Sequence, residues 1–578
     1  MVGAPAVTKS TGTEHYNTLQ NNVASSWLRD PGLLRLNLGI GFLFASAASN
    51  GYDGSLMNGL LVMDTFNRNL GPNISSSLLG LVIAGISLGG LPSFIPASYV
   101  TDRVGRKKAL GIGSSLMVVG AVVQAFTKGA YAMLATRIVI GIGLGFSQTS
   151  APTLATELAH PKHRGAISAL FQATWYWGAI VAASCCMGTL FLDSSWGWRL
   201  PCLLQAVFPG LQLVGLALVP ESPRWLVSVG REEEARMILT RYHANGSIDD
   251  ELVRYEYEEI KATIAAEKVG AARSGFLTFF KTSGNRHRLF ICVFSGFMIN
   301  WVGNGIVSYY LAPILRTVGV TNLTAQAGIN LGMQVWNAIL SAVGAVCAEK
   351  FGRRPLWLTS ASGMLGAFVV ITALSATFAK TQSHAIGAGV VAFLFVFFGF
   401  YDIAFTPLSI AYPIEILPFH LRAKGLSINL TVVFAASFFN QYVNPVAFER
   451  LEWKLYFVYV GVLCVVIPVI YFTFPETKGR TLEEIAEVFD GKKPQVEEDG
   501  RGGADGHGRG EVRMVRSDDK FDIEYEMEPT DLVFRDPGFS KEGIQMETIV
   551  PKGCGTKHLE TLTVAEFRKD CAMLDRAC

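Results

Sequence analysis

Two short charged segments decide the fold of this chain: Asp102-Arg-Val-Gly-Arg-Lys107 and Glu349-Lys-Phe-Gly-Arg-Arg354. Each reads acid, base, any residue, Gly, Arg, base, and each directly follows a long apolar run. Their first residues are 247 positions apart in a chain of 578. A repeat of that length is much longer than one helix, so it indicates a duplicated unit of several elements.

Two further pairs of motifs repeat at nearly the same distance. They are Glu157 and Arg164 with Glu415 and Arg422, 258 residues apart, and Pro220-Glu-Ser-Pro-Arg-Trp225 with Pro475-Glu-Thr-Lys-Gly-Arg480, 255 residues apart. Three independent motifs at almost one offset indicate a six-helix unit duplicated in tandem.

Long apolar runs separate these motifs. A helix needs ~20 mostly apolar residues to cross a bilayer, and twelve such runs occur, at roughly 35–59, 76–99, 109–127, 131–155, 165–192, 199–219, 289–312, 325–348, 356–377, 386–413, 425–446 and 454–474. The runs are continuous, whereas the strands of a membrane barrel would alternate. The sequence therefore predicts an all-α membrane protein with twelve transmembrane helices in two pseudo-symmetric six-helix bundles.

The runs also set the expected domain boundaries. We expect a cytoplasmic N-terminal segment (1–33), a first bundle (34–219), a cytoplasmic helical linker (220–288), a second bundle (289–474) and a cytoplasmic, largely disordered tail (475–578). The orientation follows from Lys and Arg, which concentrate in the short loops of one side. The Gly- and charge-rich composition after Asp490 predicts the disorder, and a regulatory role of this tail stays open. The N-terminus lacks the pattern of a removable signal peptide.

The composition argues against several other classes of protein. Half of the residues are hydrophobic and 17% are charged. The sequence has no basic stripe interleaved with aromatic residues, which argues against a nucleic-acid partner. The nine cysteines have neither zinc nor disulfide spacing. The sequence contains no phosphate-binding Gly-x4-Gly-Lys-Ser/Thr loop, which argues against an ATP-driven pump. We expect no enzyme activity, no cofactor and no metal site.

Several motifs in order give this chain a family resemblance. They are Gly51-Tyr-Asp53, Asp102 to Lys107, Glu157 to Gly165, Pro220 to Trp225, Tyr309-Tyr310 and Pro475 to Thr481. With this spacing the chain resembles, from about residue 30 to 490, the sugar porter branch of the major facilitator superfamily. Asn50 to Gly59 and Gly303 to Tyr310 look most like the fungal lactose-permease-like transporters.

The resemblance implies a function and a location. A sugar, either a hexose or a disaccharide such as lactose or cellobiose, enters with a proton by alternating access. Two alternatives stay open: a facilitative uniporter, and a sugar sensor that does not transport. The expected partners are the sugar, the proton and the lipid bilayer, with the protein a monomer in the plasma membrane.

Three charged residues at membrane depth are candidates for proton coupling. A carboxylate there is costly, so it normally faces a cavity or a partner. Asp53 lies in the first run, with Arg137 of the fourth run as its expected partner, and Asp402 lies in the tenth. The resembling family's proton-coupled members carry Asp at the position of Asp53. The alternatives are a static Asp53–Arg137 pair and an Asp402 that only caps a kinked helix.

Polar side chains recur at helical spacing on three runs of the second bundle. Such stripes suit a sugar, because each buried hydroxyl needs a hydrogen bond and the ring faces stack on aromatic groups. The candidate substrate residues are Gln172, Asn300, Asn304, Tyr309, Gln334, Asn337, Tyr412, Asn440, Gln441 and Asn444. The alternative is that these amides join helices to one another. Ile299 and Ile410 stand where hexose carriers have larger groups, which favours a roomier pocket.

The repeated charged motifs are candidates for a cytoplasmic gate. The residues are Arg106, Glu157, Arg164, Glu221, Arg224, Arg353, Glu415, Arg422 and Glu476. The resemblance implies ion pairs that stabilise the state closed on the inside, so breaking them shifts a population of states. The alternative is that they anchor helices and set topology.

Overall fold

The computed structural model describes residues 21–23, 27–71, 74–273, 276–478, 485, 488–490, 513–517 and 520–524. Within these ranges the side chains of 165–166, 168–169, 172, 266–273, 349, 419–420, 423, 452 and both strands lie outside the description.

We call helices α1 to α9 the first half. They are α1 (Pro31–Leu43), α2 (Ala45–Val62), α3 (Asp64–Leu70), α4 (Ser76–Val104), α5 (Arg106–Ala125), α6 (Ala130–Leu158), α7 (Arg164–Thr189), α8 (Trp196–Leu204) and α9 (Val207–Leu216). Asp30 caps α1 by accepting from the Leu33 N–H at 2.9 Å, and Pro31 suits the first helical position. The pairs α1–α2 and α8–α9 each form one long span.

The second half comprises helices α14 to α20, which follow the linker. They are α14 (Ser283–Trp301), α15 (Asn304–Thr317), α16 (Leu323–Phe351), α17 (Arg353–Thr381), α18 (His384–Ile416), α19 (Phe419–Leu451) and α20 (Leu455–Thr473). Gly303, at φ +103°, separates α14 from α15. Arg288 of α14 is 1% exposed and holds Asp490 by two hydrogen bonds, of 3.0 and 2.8 Å. The chain beyond α20 is thereby fastened to the start of this half.

Eleven spans among the described residues are long and apolar enough to cross a membrane. The remaining predicted span is α7, which has 26 residues and packs along α2. The membrane-spanning part is therefore all-α, as predicted, with six spans in each half.

Gly105 and Gly352 explain why the charged repeat contains glycine. They have φ values of +106° and +98° and connect α4 to α5 and α16 to α17. A Cβ at Gly105 would lie 2.4 Å from Glu221 Oε2, and a Cβ at Gly352 would lie 2.8 Å from Glu476 Oε2. Only glycine combines this left-handed turn with an adjacent carboxylate. The motif is therefore a tight turn built around an acid from the end of the same half.

The linker between the halves contains α10 (Pro223–Ser228), α11 (Glu232–His243), α12 (Glu251–Arg273) and α13 (Thr278–Lys281). Asn245, between α11 and α12, donates to Asn22 O at 2.9 Å and to Asp30 Oδ2 at 2.7 Å. Its Oδ1 accepts from the Gly32 N–H at 3.0 Å. One amide thus fixes the N-terminal segment to the linker.

A second, separate unit contains residues 496–578. Its described part is an antiparallel pair, β1 (Arg513–Ser517) and β2 (Lys520–Glu524), with Arg513 opposite Glu524. The composition of the tail did not predict this hairpin. Residues 475–478, 485 and 488–490 of the predicted tail are also described, and its remaining residues, for which disorder is the prediction, lie outside the described part of the chain.

Candidate solute-binding site between the two halves

A cavity of about 350 Å³ lies between the first and second halves. Its walls come from α2, α4, α6 and α7 on one side and from α14, α15, α16, α18 and α19 on the other. Seven predicted substrate or coupling residues of the second half line it: Asn300, Asn304, Tyr309, Gln334, Asn337, Asp402 and Gln441. Asp53 and Arg137 line it from the first half.

Asp53 has a different direct partner from the one we expected. Gln205 of the α8–α9 connection donates to Asp53 Oδ1 at 2.5 Å. Asp53 Oδ2 has no hydrogen-bond partner in the described part of the chain, and neither do Nε and Nη1 of Arg137. Arg137 Nη2 donates instead to Ile83 O at 3.3 Å. The expectation that Arg137 is the direct partner of Asp53 must therefore be corrected, and the static-pair alternative is not seen among the described residues either: an acid and a guanidinium share one wall, each with unused hydrogen-bonding atoms.

Asp402 is held by three neutral donors. The hydroxyls of Tyr176 and Thr406 each donate to its Oδ1 at 2.7 Å. In the amide orientation that satisfies both of its polar atoms, Asn337 donates to Asp402 Oδ2 at 3.1 Å. Asp402 is 1% exposed, so these donors replace the water that the carboxylate lost.

The α14–α15 stripe faces the cavity as predicted, and some of its bonds join helices. Asn300 donates to Val433 O at 3.0 Å, and Asn304 donates to the Tyr401 hydroxyl at 3.1 Å. Asn304 Oδ1 is buried without a partner among the described residues. The cavity wall therefore offers an unused acceptor beside an aromatic hydroxyl.

The polar stripe of α19 is divided between two environments. Gln441 and Ser437 line the cavity. Asn440 donates to Asn300 O of α14 at 2.9 Å, and Asn444 donates to Asn440 Oδ1 at 2.9 Å and accepts from the Tyr459 hydroxyl of α20. The prediction for Asn440 and Asn444 must therefore be corrected: they join helices inside the second half, and they do not line the cavity.

The expectation for Tyr412 also needs correction. Its ring is fully buried and stacks on Phe474 at 5.2 Å, and its hydroxyl donates to Pro475 O at 2.8 Å. These contacts place Tyr412 at the end of α18, outside the cavity lining. For Gln172, on α7, the side chain is outside the described residues.

Sequence reasoning missed the aromatic part of the wall. The cavity is also lined by Trp175, Tyr176, Phe398, Tyr401, Phe405 and Phe434. Flat aromatic faces suit the apolar faces of a sugar ring. Their signal in the sequence is weak, because aromatic residues in a membrane helix face lipid as often as a cavity.

Asn58 of α2 joins the halves at a break in α15. Tyr310 has the non-helical angles φ −131° and ψ 26°, which interrupts the helical hydrogen bonds around it. The Leu311 N–H donates to Asn58 Oδ1 at 3.3 Å, and the Asn58 amide donates to Ser308 O. One first-half amide therefore satisfies the backbone groups that this break releases.

The charged motifs form matching clusters at the ends of the helices. Arg106 pairs with Glu157 at 3.2 Å, and Arg353 pairs with Glu415 at 2.8 Å. Glu221 and Glu476 accept backbone N–H groups after Gly105 and Gly352. Each of these pairs lies within one half, whereas Arg164 pairs with Glu256 of the linker at 3.3 Å. Arg224 and Arg422 also have interactions.

Comparisons with known proteins show which proteins this chain is similar to. The chain is 29% identical over 451 residues to the MFS-type transporter oryC of Aspergillus oryzae, covering 76% of this chain and 82% of that protein. It is 29% identical over 470 residues to a high-affinity glucose transporter of Kluyveromyces lactis, covering 78% and 84%. The xylose transporter XylE of E. coli, in a partially occluded inward-open conformation, has the same fold. Its TM-score is 0.65 at 22% identity, with 78% of this chain and all of that one covered.

A family model gives the assignment. The model described as "Sugar (and other) transporter" matches residues 40–489, which contain the first half from Ile40 onward, the linker and the second half. Its members are multi-pass membrane transporters and not enzymes. The chain therefore belongs to the sugar transporter family of the major facilitator superfamily.

Proposed function

We propose that this protein carries a sugar, together with a proton, into the cell by alternating access of the cavity between its halves. The observation that carries this proposal is the set of unused polar atoms on the cavity wall. Asn304 Oδ1, Asp53 Oδ2 and two nitrogens of Arg137 are buried without partners among the residues described. Unsatisfied buried polar atoms are costly, and a polar solute or a proton can satisfy them.

The chemistry of the wall favours a sugar among polar solutes. Amides of Asn300, Asn304, Gln334 and Gln441 can both donate to and accept from hydroxyl groups. The surrounding aromatic residues offer faces for a ring. The relative from Kluyveromyces lactis is named as a glucose transporter, which supports a hexose; a disaccharide is the second candidate.

Asp53 is the proposed proton carrier. Its Oδ1 accepts from Gln205, while its Oδ2 is unused and Arg137 shares the same wall. If the Asp53–Arg137 distance changes as the halves move, the carboxylate is stabilised in one state and favours its protonated form in the other. A proton would then bind and leave once in each cycle. Asp402 is the second candidate.

The charged clusters support rigid halves. The Arg106–Glu157 and Arg353–Glu415 pairs each tie helix ends within one half. We propose that these motifs hold each half together while the cytoplasmic gate opens, with the protein in the plasma membrane and both termini in the cytoplasm.

Uptake into proteoliposomes tests the function. Purified protein is assayed with labelled hexoses and disaccharides, with and without an inward proton gradient. We expect one sugar class to accumulate only with the gradient. Asp53→Asn should abolish accumulation and retain sugar exchange, because exchange needs no net proton transfer. Asp64→Asn, which changes an exposed acid at the start of α3, is the matched control.

Three outcomes separate the candidate functions. Uptake that ignores the gradient, with Asp53→Asn fully active, would identify a uniporter and refute proton coupling. Sugar binding without uptake would identify a sensor. Neither binding nor uptake of any sugar would refute the assignment of the solute.

A further inference from the structure

One hydrogen bond beside the cavity joins a carboxylate of one half to a phenol of the other. Tyr176 lies on α7 in the first half, and Asp402 lies on α18 in the second. The Tyr176 hydroxyl donates to Asp402 Oδ1 at 2.7 Å. Both side chains are buried, with 7% and 1% of their surfaces exposed.

The other two donors to Asp402 come from its own half. Thr406 is one turn further along α18 and donates to the same oxygen at the same distance, 2.7 Å. Asn337, on α16, faces the other oxygen at 3.1 Å. The Thr406 and Tyr176 hydroxyls are also 3.1 Å apart. Tyr176 is therefore the donor that this carboxylate loses when the halves separate along α7.

The acceptor distinguishes this bond from neighbouring contacts between the halves, because Asp402 is a carboxyl group faced by three donors, an arrangement that suits its ionised form. Ser87 of α4 donates to Gln441 of α19 at 3.1 Å, and both groups are neutral. A hydrogen bond to an ionised acceptor is roughly twice as strong as a neutral one. It is also more costly to break in a site where water does not replace the lost donor.

We propose that the Tyr176–Asp402 hydrogen bond is a latch that holds the two halves together beside the cavity and must open in each transport cycle. Asp402 acts as the fixed acceptor, because Thr406 and Asn337 hold it within the second half. Tyr176 is the moving donor. The inference rests on the alternating-access part of the proposed function, and it is independent of the solute and of the role proposed for Asp53.

Two substitutions separate a latch from a general loss of one hydrogen bond. Tyr176→Phe and Thr406→Val each remove one hydroxyl donor from the same carboxylate oxygen. The first removes a bond between halves, and the second removes a bond within one helix. Hydrogen–deuterium exchange is measured on the purified full chain, without sugar or gradient, in the peptides of α7 and α16, which pack against each other.

The latch predicts different results for the two variants. Tyr176→Phe should shift the ratio of separated to joined halves about tenfold, which raises deuterium uptake along the facing surfaces of α7 and α16. Thr406→Val should keep the pattern of the parent chain. In an Asp402→Ala background, Tyr176→Phe should cause no further change. Equal shifts in both single variants, no shift in Tyr176→Phe, or an undiminished effect in the Asp402→Ala background would each overturn the proposal.

This test also distinguishes failure of the latch from failure of the proposed function. Exchange reports the positions of the halves whether or not any sugar is carried. A latch effect with no uptake in proteoliposomes would leave the latch in place and remove the sugar assignment. Uptake of a sugar without a latch effect would leave the sugar assignment in place and remove the latch.

Discussion

The crossing of α2 and α7 gives the sharpest prediction for a single methyl group. A Cβ added at Gly178 would lie 1.8 Å from the carbonyl oxygen of Ala48, and one added at Gly51 would lie 1.8 Å from the carbonyl oxygen of Trp175. An ordinary contact of a Cβ atom lies at 3.4–4 Å, so Gly178→Ala requires the two helices to move apart by roughly 1.6 Å. The obstacle is backbone and cannot rotate away. We expect a cost of about 3 kcal/mol, at the upper end for overpacking.

Thermal unfolding of the purified protein in detergent measures this cost. Gly178→Ala should lower the unfolding temperature by several degrees and reduce transport, because the same crossing positions Asp53 and Tyr176. Gly188→Ala is the control on the same helix, since its added Cβ meets nothing within 4 Å. Alanine is the better helix former by about 1 kcal/mol, so this variant should unfold at the same temperature or higher. If Gly178→Ala unfolds like the parent chain, the close approach of the helices is wrong.

Three other predictions concern ion pairs, a buried histidine and glycosylation sites near the ends of the helices. Arg353→Met should destabilise the fold by about 3–5 kcal/mol, since it leaves the Glu415 carboxylate buried without its ion pair. Arg106→Met removes an ion pair at a more exposed site and should cost less. Equal unfolding temperatures of the two variants would contradict this. Burial and neighbouring positive groups lower the pKa of His160 to about 2, so the folded protein keeps it neutral while the unfolded chain protonates it near its ordinary value of 6.5. The free energy of unfolding therefore carries no penalty from His160 above pH 6.5 and falls by up to about 1.4 kcal/mol per pH unit below it. In thermal melts, His160→Gln should lose less stability than the parent chain between pH 7 and pH 5. Asn322-Leu-Thr324 and Asn245-Gly-Ser247 both have the acceptor pattern for N-glycosylation, and the predicted topology puts the first outside and the second in the cytoplasm. In a glycosylating host, Asn322→Gln should therefore remove an endoglycosidase-sensitive mass shift and Asn245→Gln should not; the reverse result would invert the predicted topology.

The helices and their duplication could be predicted from the sequence because membrane burial leaves a strong pattern. An apolar run of ~20 residues has few alternatives to a helix in lipid. The repeated turn around Gly105 and Gly352 was visible because its geometry requires specific residues. Caps and breaks were harder to predict. The non-helical angles of Tyr310 depend on Asn58 from another helix, and that partner is distant in sequence.

The candidate site was predicted only in part because helical spacing fixes relative and not absolute orientation. Ser437 with Gln441, and Asn440 with Asn444, are both spaced four residues apart on α19. The first pair faces the cavity, and the second faces α14 and α20 of its own half. Only packing against α4 and α14 decides between them.

Adjacent aromatic residues on α7 show the same ambiguity. Trp175 and Tyr176 line the cavity, whereas Trp177 is 67% exposed on the outer surface. Their side chains are chemically alike, so composition cannot assign them to a face. Gln205 was missed for a different reason: it lies in a short connection between two apolar helices, where its acid partner Asp53 is far away in the sequence.

The grip of Arg288 on Asp490 has a practical consequence for engineering. A fluorescent protein fused shortly after Asp490 is mounted on the second half, because two hydrogen bonds tie that point to α14. A second fluorophore ahead of Asn22 is mounted at the opposite end of the chain, because Asn245 fastens that segment to the linker. Energy transfer between the two fluorophores would therefore report the movement of the halves during transport without altering the cavity.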